Sequence, residues 1–309
     1  MSRATVLGPG EGDKFWIVGD HLTFKVGPKQ THGKYTVATT HVPPQSGPPP
    51  HVHAAEDEMF YILEGTMMFM DNQHTFLAGP GSAIYLPKGI PHTFKNVGDT
   101  QVKCILTALP SGFEAFVAEC GEPITQIPCD KQVDEAAVGK LMANCSKYGV
   151  RILPEHKPVG EKEYKPQDRQ QWVLGQQVTI KLGSKETNGN FSVVEVTARP
   201  GQAVPSHKHL EMDEYFYVLE GEFEFTIDGK PTAAPAGTFI HVPKGVRHGF
   251  ANKTNQLAKL ADFHTPGGFE EFFDECGVEC TDPTKPPTLG PPDMAKLSEV
   301  FKKHGMELG

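Results

Sequence analysis

The sequence predicts an all-β protein built from two copies of one barrel or sandwich unit, and three observations carry that expectation. Short runs rich in β-branched and aromatic residues, such as 35–42 and 191–198, are separated by turn signals. Glycine and proline are frequent, 32 and 27 of 309 residues, and are spaced through those runs, which favours barrels or sandwiches over helical bundles. Finally, the chain repeats itself at an interval of 156 residues, with no gap over the segments that carry chemistry. Trp16 meets Trp172, His51 and His53 meet His207 and His209, Glu58 meets Glu214, Gly65 meets Gly221, and His92 and Asn96 meet His248 and Asn252. Even Glu119-Cys120-Gly121 returns as Glu275-Cys276-Gly277, so a whole domain is duplicated.

Each copy reads in one order. Short strands lead into a histidine segment, 51–58 or 207–214. His51 and His53 lie two residues apart, so on an extended segment both imidazoles point to one face. Glu58 is an odd number of residues beyond His53 and joins them only if residues 54–57 bend. That stretch is polar and not β-branched, and a fresh apolar run begins at Met59. Two imidazoles and a carboxylate converging among apolar strands make a divalent metal site the economical reading.

A hairpin strand follows, 222–227 before Asp228-Gly229 in the second copy. Its first-copy equivalent, Thr66-Met-Met-Phe-Met, is apolar on both faces and predicts a strand packed on two sides. A Gly-x5-Pro-x-Gly turn from Gly81 to Gly89 then delivers His92 to the start of another strand, where Phe94 and Asn96 share its face. The expected ligand sets are therefore His51, His53, Glu58 and His92, and His207, His209, Glu214 and His248. Three neutral imidazoles and one carboxylate leave one or two positions of a six-coordinate ion open to substrate or oxygen. Beyond the barrel, Ser111-Gly-Phe-Glu114 has capping-box form and predicts a helix that Gly121 closes. A second helix is expected over 134–148, matched by 293–304. The polar, proline-bearing stretch 154–170 reads as a linker between an N-terminal domain, 1–153, and a C-terminal domain, 171–309.

Both copies resemble cupin domains, and the whole chain resembles a bicupin. The first motif of that family, Gly-x5-His-x-His-x4-Glu-x6-Gly, is met in full by Gly201, His207, His209, Glu214 and Gly221. The first copy meets it from His51 to Gly65, with Gly47 at a shorter spacing. The second motif, Gly-x5-Pro-x-Gly-x2-His-x3-Asn, is met in both copies. The resemblance implies a double-stranded β-helix, or jelly roll, in each copy, with short C-terminal helices. It also implies one divalent transition metal per domain, iron first, with manganese, nickel, cobalt, copper or zinc admissible. The wording of the first copy is most similar to quercetin 2,3-dioxygenase-like bicupins. That similarity implies a metal-dependent dioxygenase acting with dioxygen on a small aromatic or enolic, flavonol-like substrate, with Glu58 and Glu214 as ligands and general bases. A non-redox metal enzyme (decarboxylase, lyase or isomerase) is the alternative, and a binding or storage bicupin the weaker one, because the same barrel hosts all of these. A homodimer is compatible with this reading.

Strand parity extends the expected site. With Glu58 facing inward, Phe60 and Ile62 share its face, and Phe94 lies beside His92. Tyr85 and its counterpart His241 occupy the strand leading to the third histidine and are expected as pocket residues or relays. The remaining histidines, His21, His32, His41, His74, His156, His264 and His304, are expected to be solvated or hydrogen-bonded bystanders. Glu211 and Arg247 replace Ala55 and Pro91, so the second site reads as more polar and the first as the better fit to an apolar substrate.

A net charge of −9 without any basic cluster disfavours nucleic acid and anionic membranes as partners. No signal-like apolar core opens the chain, and no apolar run approaches the roughly 20 residues of a membrane span, so a cytoplasmic protein is expected. The six cysteines form no Cys-x-x-Cys pair and read as reduced and structural.

Overall fold

A computed structural model describes residues 3–166, 168–285, 287 and 294–309. The chain divides into two compact units, Glu11–Pro166 and a second made of Met1–Gly10 with Gln167–Gly309. In the first, a seven-stranded sheet runs in the order Glu122–Ile124, Asp13–Ile17, Asp20–Val26, Thr36–Val42, Val102–Leu109, Asp57–Glu64 and Ala83–Leu86. A six-stranded sheet holds Val150–Ile152, His51–His53, His92–Lys95, Met67–Asp71, His74–Ala78 and Gly160–Glu161. The second unit has the same plan, with an eight-stranded and a five-stranded sheet. This is the expected double-stranded β architecture, with few, short helices.

Between the sheets the side chains that alternate inward form the core. Phe60, Ile62, Phe69, Ile84, Leu86, Cys104 and Leu106 pack together in the first unit. Phe216, Phe223, Phe225, Phe250 and Leu260 do so in the second. The strand Met67–Asp71 lies inside its sheet, with Met67, Phe69 and Met70 all buried, which is why its sequence lacks the usual polar alternation. Gly65 and Gly221 turn the chain between strands at φ of 79° and 69°. A Cβ on Gly221 would sit 2.7 Å from the Leu257 carbonyl oxygen, so the motif glycine answers both a left-handed conformation and a close backbone approach.

The domain limits differ from the expected ones at both ends. Residues 1–10 go with the second unit, because Thr5–Leu7 pairs antiparallel with Phe239–Val242. Most of the expected linker stays on the first unit: Gly160–Glu161 pairs in parallel with His74–Ala78, and Tyr164 stacks on Phe76 and donates to the Ala83 carbonyl at 3.0 Å. An open sheet edge presents unpaired N–H and C=O groups, and any nearby extended segment can satisfy them, whatever its composition.

The helices also follow the expectation with local differences. Phe113–Cys120 starts from Gly112, not from a Ser111 side-chain cap; the Glu114 carboxylate accepts from the Gly112 N–H at 3.0 Å and from the Thr36 hydroxyl. Glu135–Cys145 is capped by Asp134, which accepts from the Ala137 N–H at 2.7 Å, and runs into a 3-10 turn at Ser146–Tyr148. Met294–Lys303 is its counterpart; the expected start, Asp293, lies outside the described residues. All six cysteines are free. No helix among the described residues is long and apolar enough to cross a membrane.

Candidate metal centres

The bend expected after His53 is the crossing between sheets. His51–His53 belongs to the six-stranded sheet and Asp57–Glu64 to the seven-stranded one, so residues 54–56 carry the chain across and Glu58 faces back towards the histidines. His92 sits directly opposite His51 in the antiparallel ladder. The Pro-x-Gly turn is tied to the same place, because the Gly89 N–H donates to the His53 carbonyl at 2.8 Å. Equivalent bonds join Gly245 to His209 at 2.7 Å, and His248 faces His207. Register thus gathers His51, His53, Glu58 and His92 in one unit and His207, His209, Glu214 and His248 in the other. In each set the four donor atoms lie within 4.8 Å of one another, all on buried residues.

The donor chemistry fits a divalent ion. The Nδ1 atoms of His51 and His92 are held by the carbonyl oxygens of Pro49 (3.0 Å) and Ile90 (2.8 Å), and His53 Nδ1 by the Glu56 carboxylate (3.1 Å). Each ring therefore presents Nε2 with its lone pair to the common point. In the second unit Pro205 (2.9 Å) and Val246 (3.2 Å) hold His207 and His248 in the same way. There the buried Nε2 atoms of His209 and His248 and the Glu214 Oε2 are left without hydrogen-bond partners, the signature of groups arranged for a ligand they share.

Charge is distributed accordingly. Burial alone would raise Glu58, but the imidazoles of His53, His92 and His51 overcome it and hold the carboxyl at about 2. Burial lowers His51 to about 4, with the neighbouring His92 adding to the effect. Burial opposes a charge on His53 too, yet Glu58 and Glu56 beside it raise its pKa. Metal binding needs an anionic carboxylate among neutral imidazoles; Glu58 and His51 are held in that state, and His53 gives up its proton on joining it.

The two centres differ in what surrounds them. Beside the first lies a cavity of about 160 Å³, beside the second one of about 50 Å³. Side-chain size explains the difference: Cys145 and Val150, on the wall of the first cavity, stand where the second unit has Phe301 and Met306. Phe301 meets the His207 ring edge-on at 5.9 Å, and Phe269 meets His209 at 4.9 Å. Glu214 is also clamped from the side away from its histidines. His264 Nε2 lies 3.2 Å from Glu214 Oε1, and Asp262 belongs to the same cluster. Burial and the Glu214 charge push the Asp262 pKa well above the usual carboxylate range. The first unit has Leu106 and Ala108 at those positions, and it alone has Glu56 behind its second histidine, where the second unit has Met212.

Strand parity put Phe60 and Ile62 on the inward face with Glu58, where they are, but facing inward does not make a residue line the cavity. Phe94 lines the first cavity, but Phe60 and Ile62 lie deeper, packed into the barrel core. Tyr85 pairs with Met59 and His241 with Tyr215, while Glu58 and Glu214 pair with Leu86 and Val242. Tyr85 and His241 therefore point away from the centres and are not relays. Glu211 is exposed and Arg247 donates to the C-terminal Gly309 carbonyl, so neither makes the second site polar; Asp262 and His264 do. His264 is not a bystander. Its role could be found from the register, since it sits opposite Glu214 on the adjacent strand. Glu56, Asp20 and Asp262, also absent from the expected site, carry no motif.

Comparison with known proteins agrees with this architecture. The family described as Cupin domain matches residues 38–108 and 194–264. Quercetin 2,3-dioxygenase of Bacillus subtilis (strain 168) is 22% identical over 289 residues, spanning 88% of this chain and 85% of that protein. Protein SchB of Streptomyces halstedii is 33% identical over 100 residues, 32% of this chain and 71% of that protein. Among solved structures, oxalate decarboxylase from Bacillus subtilis at pH 4.6 is similar with a TM-score of 0.57 and 18% identity, over 85% of this chain and 76% of that one.

Proposed function

This chain belongs to the cupin family as a two-domain bicupin, and we propose that it is a metal-dependent dioxygenase acting on a small aromatic or enolic compound at its first centre. The observation that carries the reading is the cavity of about 160 Å³ opening onto His51, His53 and Glu58. Its walls are Leu22, Phe94, Leu106, Phe113, Phe116 and other apolar side chains, and no lysine or arginine lines it. Such a wall suits a flat, weakly charged ring and not a small dianion, which would need cationic partners.

His51, His53, Glu58 and His92 would hold the ion, which supplies Lewis acidity and, when redox-active, a route for electrons to dioxygen. The protein's own part is to bind, orient and deprotonate. The apolar walls exclude water and stack the ring; Glu58, already anionic, accepts the proton of the substrate hydroxyl at its carboxylate oxygen. Glu56 keeps the His53 ring in one orientation while Glu58 does so. The second centre, with Glu214 clamped by His264 and the cavity filled by phenylalanines, is assigned to holding a metal for stability.

Oxygen uptake should be followed with flavonols and simpler phenols for the wild type, Glu58→Ala and Glu214→Ala, each loaded with iron, manganese, nickel, cobalt or copper. Loss of turnover in Glu58→Ala alone, with Glu214→Ala lowering chiefly the melting temperature, is expected. No uptake with any metal and any of these substrates would sink the dioxygenase reading.

A further inference from the structure

The first cavity contains a carboxylate that the proposed chemistry does not use. Asp20 opens the strand Asp20–Val26 directly after a tight turn, Val18 and Gly19 at φ of 43° and 97°, and lines the cavity together with His51, His53 and Glu58. Its Oδ1 accepts from the Ser46 hydroxyl at 3.0 Å, and the residue is half-buried in the cavity wall. Ile17, Val18, Leu22 and Leu106 line the same space. The second unit has Gln176 at this position, beside the smaller cavity.

A carboxyl group that a largely apolar wall keeps partly from water costs stability, and folds keep such groups where a ligand uses them. Resting on the proposed reading of the first centre, we infer that Asp20 recognises a second hydroxyl group of the substrate. One phenolic or enolic oxygen goes to the His51, His53, Glu58 and His92 cluster, and the other hydroxyl donates to Asp20 Oδ2. The cavity is about the size that holds a single benzene ring, so the recognised part is one ring with two oxygen substituents. Burial raises the Asp20 pKa to about 7, which marks the charged form as under-solvated until a donor reaches it.

The test is calorimetric titration of the nickel-loaded protein, under exclusion of air, with phenol, catechol, resorcinol and hydroquinone. At least one of the diols should bind the wild type about 10-fold or more tightly than phenol, as a charge-assisted hydrogen bond in a dry site allows. In Asp20→Leu the ratio of the two affinities should collapse towards one, with Asp20→Asn in between. Metal-free Asp20→Leu should also melt above the wild type, which a residue kept for structure would not do. Equal wild-type affinities for phenol and all three diols, with binding abolished in Glu58→Ala, would overturn the role of Asp20 and leave the first centre standing. Binding of none of the four rings to the wild type would overturn both. A lower melting temperature of Asp20→Leu would place Asp20 in the framework and overturn the recognition role.

Discussion

His53 and His209 occupy the same motif position but are held differently: Glu56 grips the Nδ1 of His53 at 3.1 Å, while Nδ1 of His209 has no partner and Met212 replaces the glutamate. Carboxylates behind a ligand imidazole fix its tautomer and raise its basicity. Glu56→Met, which copies the second unit, should therefore weaken metal binding at the first centre by about 10- to 100-fold and leave the second unchanged, as read by competitive metal titration. Asp20 gives a pH dependence. Its folded pKa, about 7, stands above the ordinary 3.8, so between those values the folded chain holds a proton that the unfolded chain has released. The stability this contributes is full below about pH 4 and is lost as pH rises to 7. Cys104, in the barrel core, stays a neutral thiol throughout that window, its pKa raised by burial. Urea unfolding at pH 4.5 and 7.5 should show Asp20→Asn gaining on the wild type at the higher pH, by at most about 3 kcal/mol and less to the extent that water reaches the carboxyl.

The strand-and-turn elements explain motif residues that touch no metal. Asn96 is fully buried beyond the strand His92–Lys95. Its Nδ2 donates to the carbonyls of Val42 (2.9 Å) and Thr100 (2.7 Å), and its Oδ1 accepts from the Gly98 N–H at 3.0 Å. Asn252 repeats this with Ala198, Gln256 and Thr254. These amides stitch the loop that follows the third histidine to a neighbouring strand. Asn96→Ala leaves the buried Val42 carbonyl without its partner and frees the Thr100 carbonyl and the Gly98 N–H, and should destabilise its unit by about 1–3 kcal/mol, measured by denaturant unfolding. Activity at a temperature where the variant is folded should change little by comparison. Parity within an element is equally decisive. On the strand Ala83–Leu86 a one-residue step separates Leu86, opposite Glu58, from Tyr85, which faces away.

Across the whole molecule, duplication has produced two metal centres with different surroundings, an open cavity at one and aromatic filling at the other. Metal analysis should find two ions per chain, and a value near zero would contradict both centres. Thr5–Leu7 supplies the outer hydrogen-bonding partner of Phe239–Val242, and that strand pairs on its other side with the one bearing Glu214. Removing residues 1–10 should speed amide hydrogen exchange in Phe239–Val242 and weaken the second unit, although nearly all of its residues lie beyond position 166.

The tandem repeat, the all-β class, the two ligand tetrads, the bend before Glu58 and the Pro-x-Gly turn were legible in the sequence. Each depends on local geometry: period-two alternation, turn chemistry, or a spacing kept in two copies. Asp20, Glu56, Asp262 and His264 were not legible, because what they do depends on which strand lies beside which. The same holds for the edge strands Thr5–Leu7 and Gly160–Glu161, whose partners lie more than 70 residues away. The sequence by itself determined that two buried His3Glu clusters form. Only the tertiary structure decided that Cys145 and Val150 leave the first one open while Phe301 and Met306 fill the second, since cavity volume is a sum over side chains that packing alone brings together.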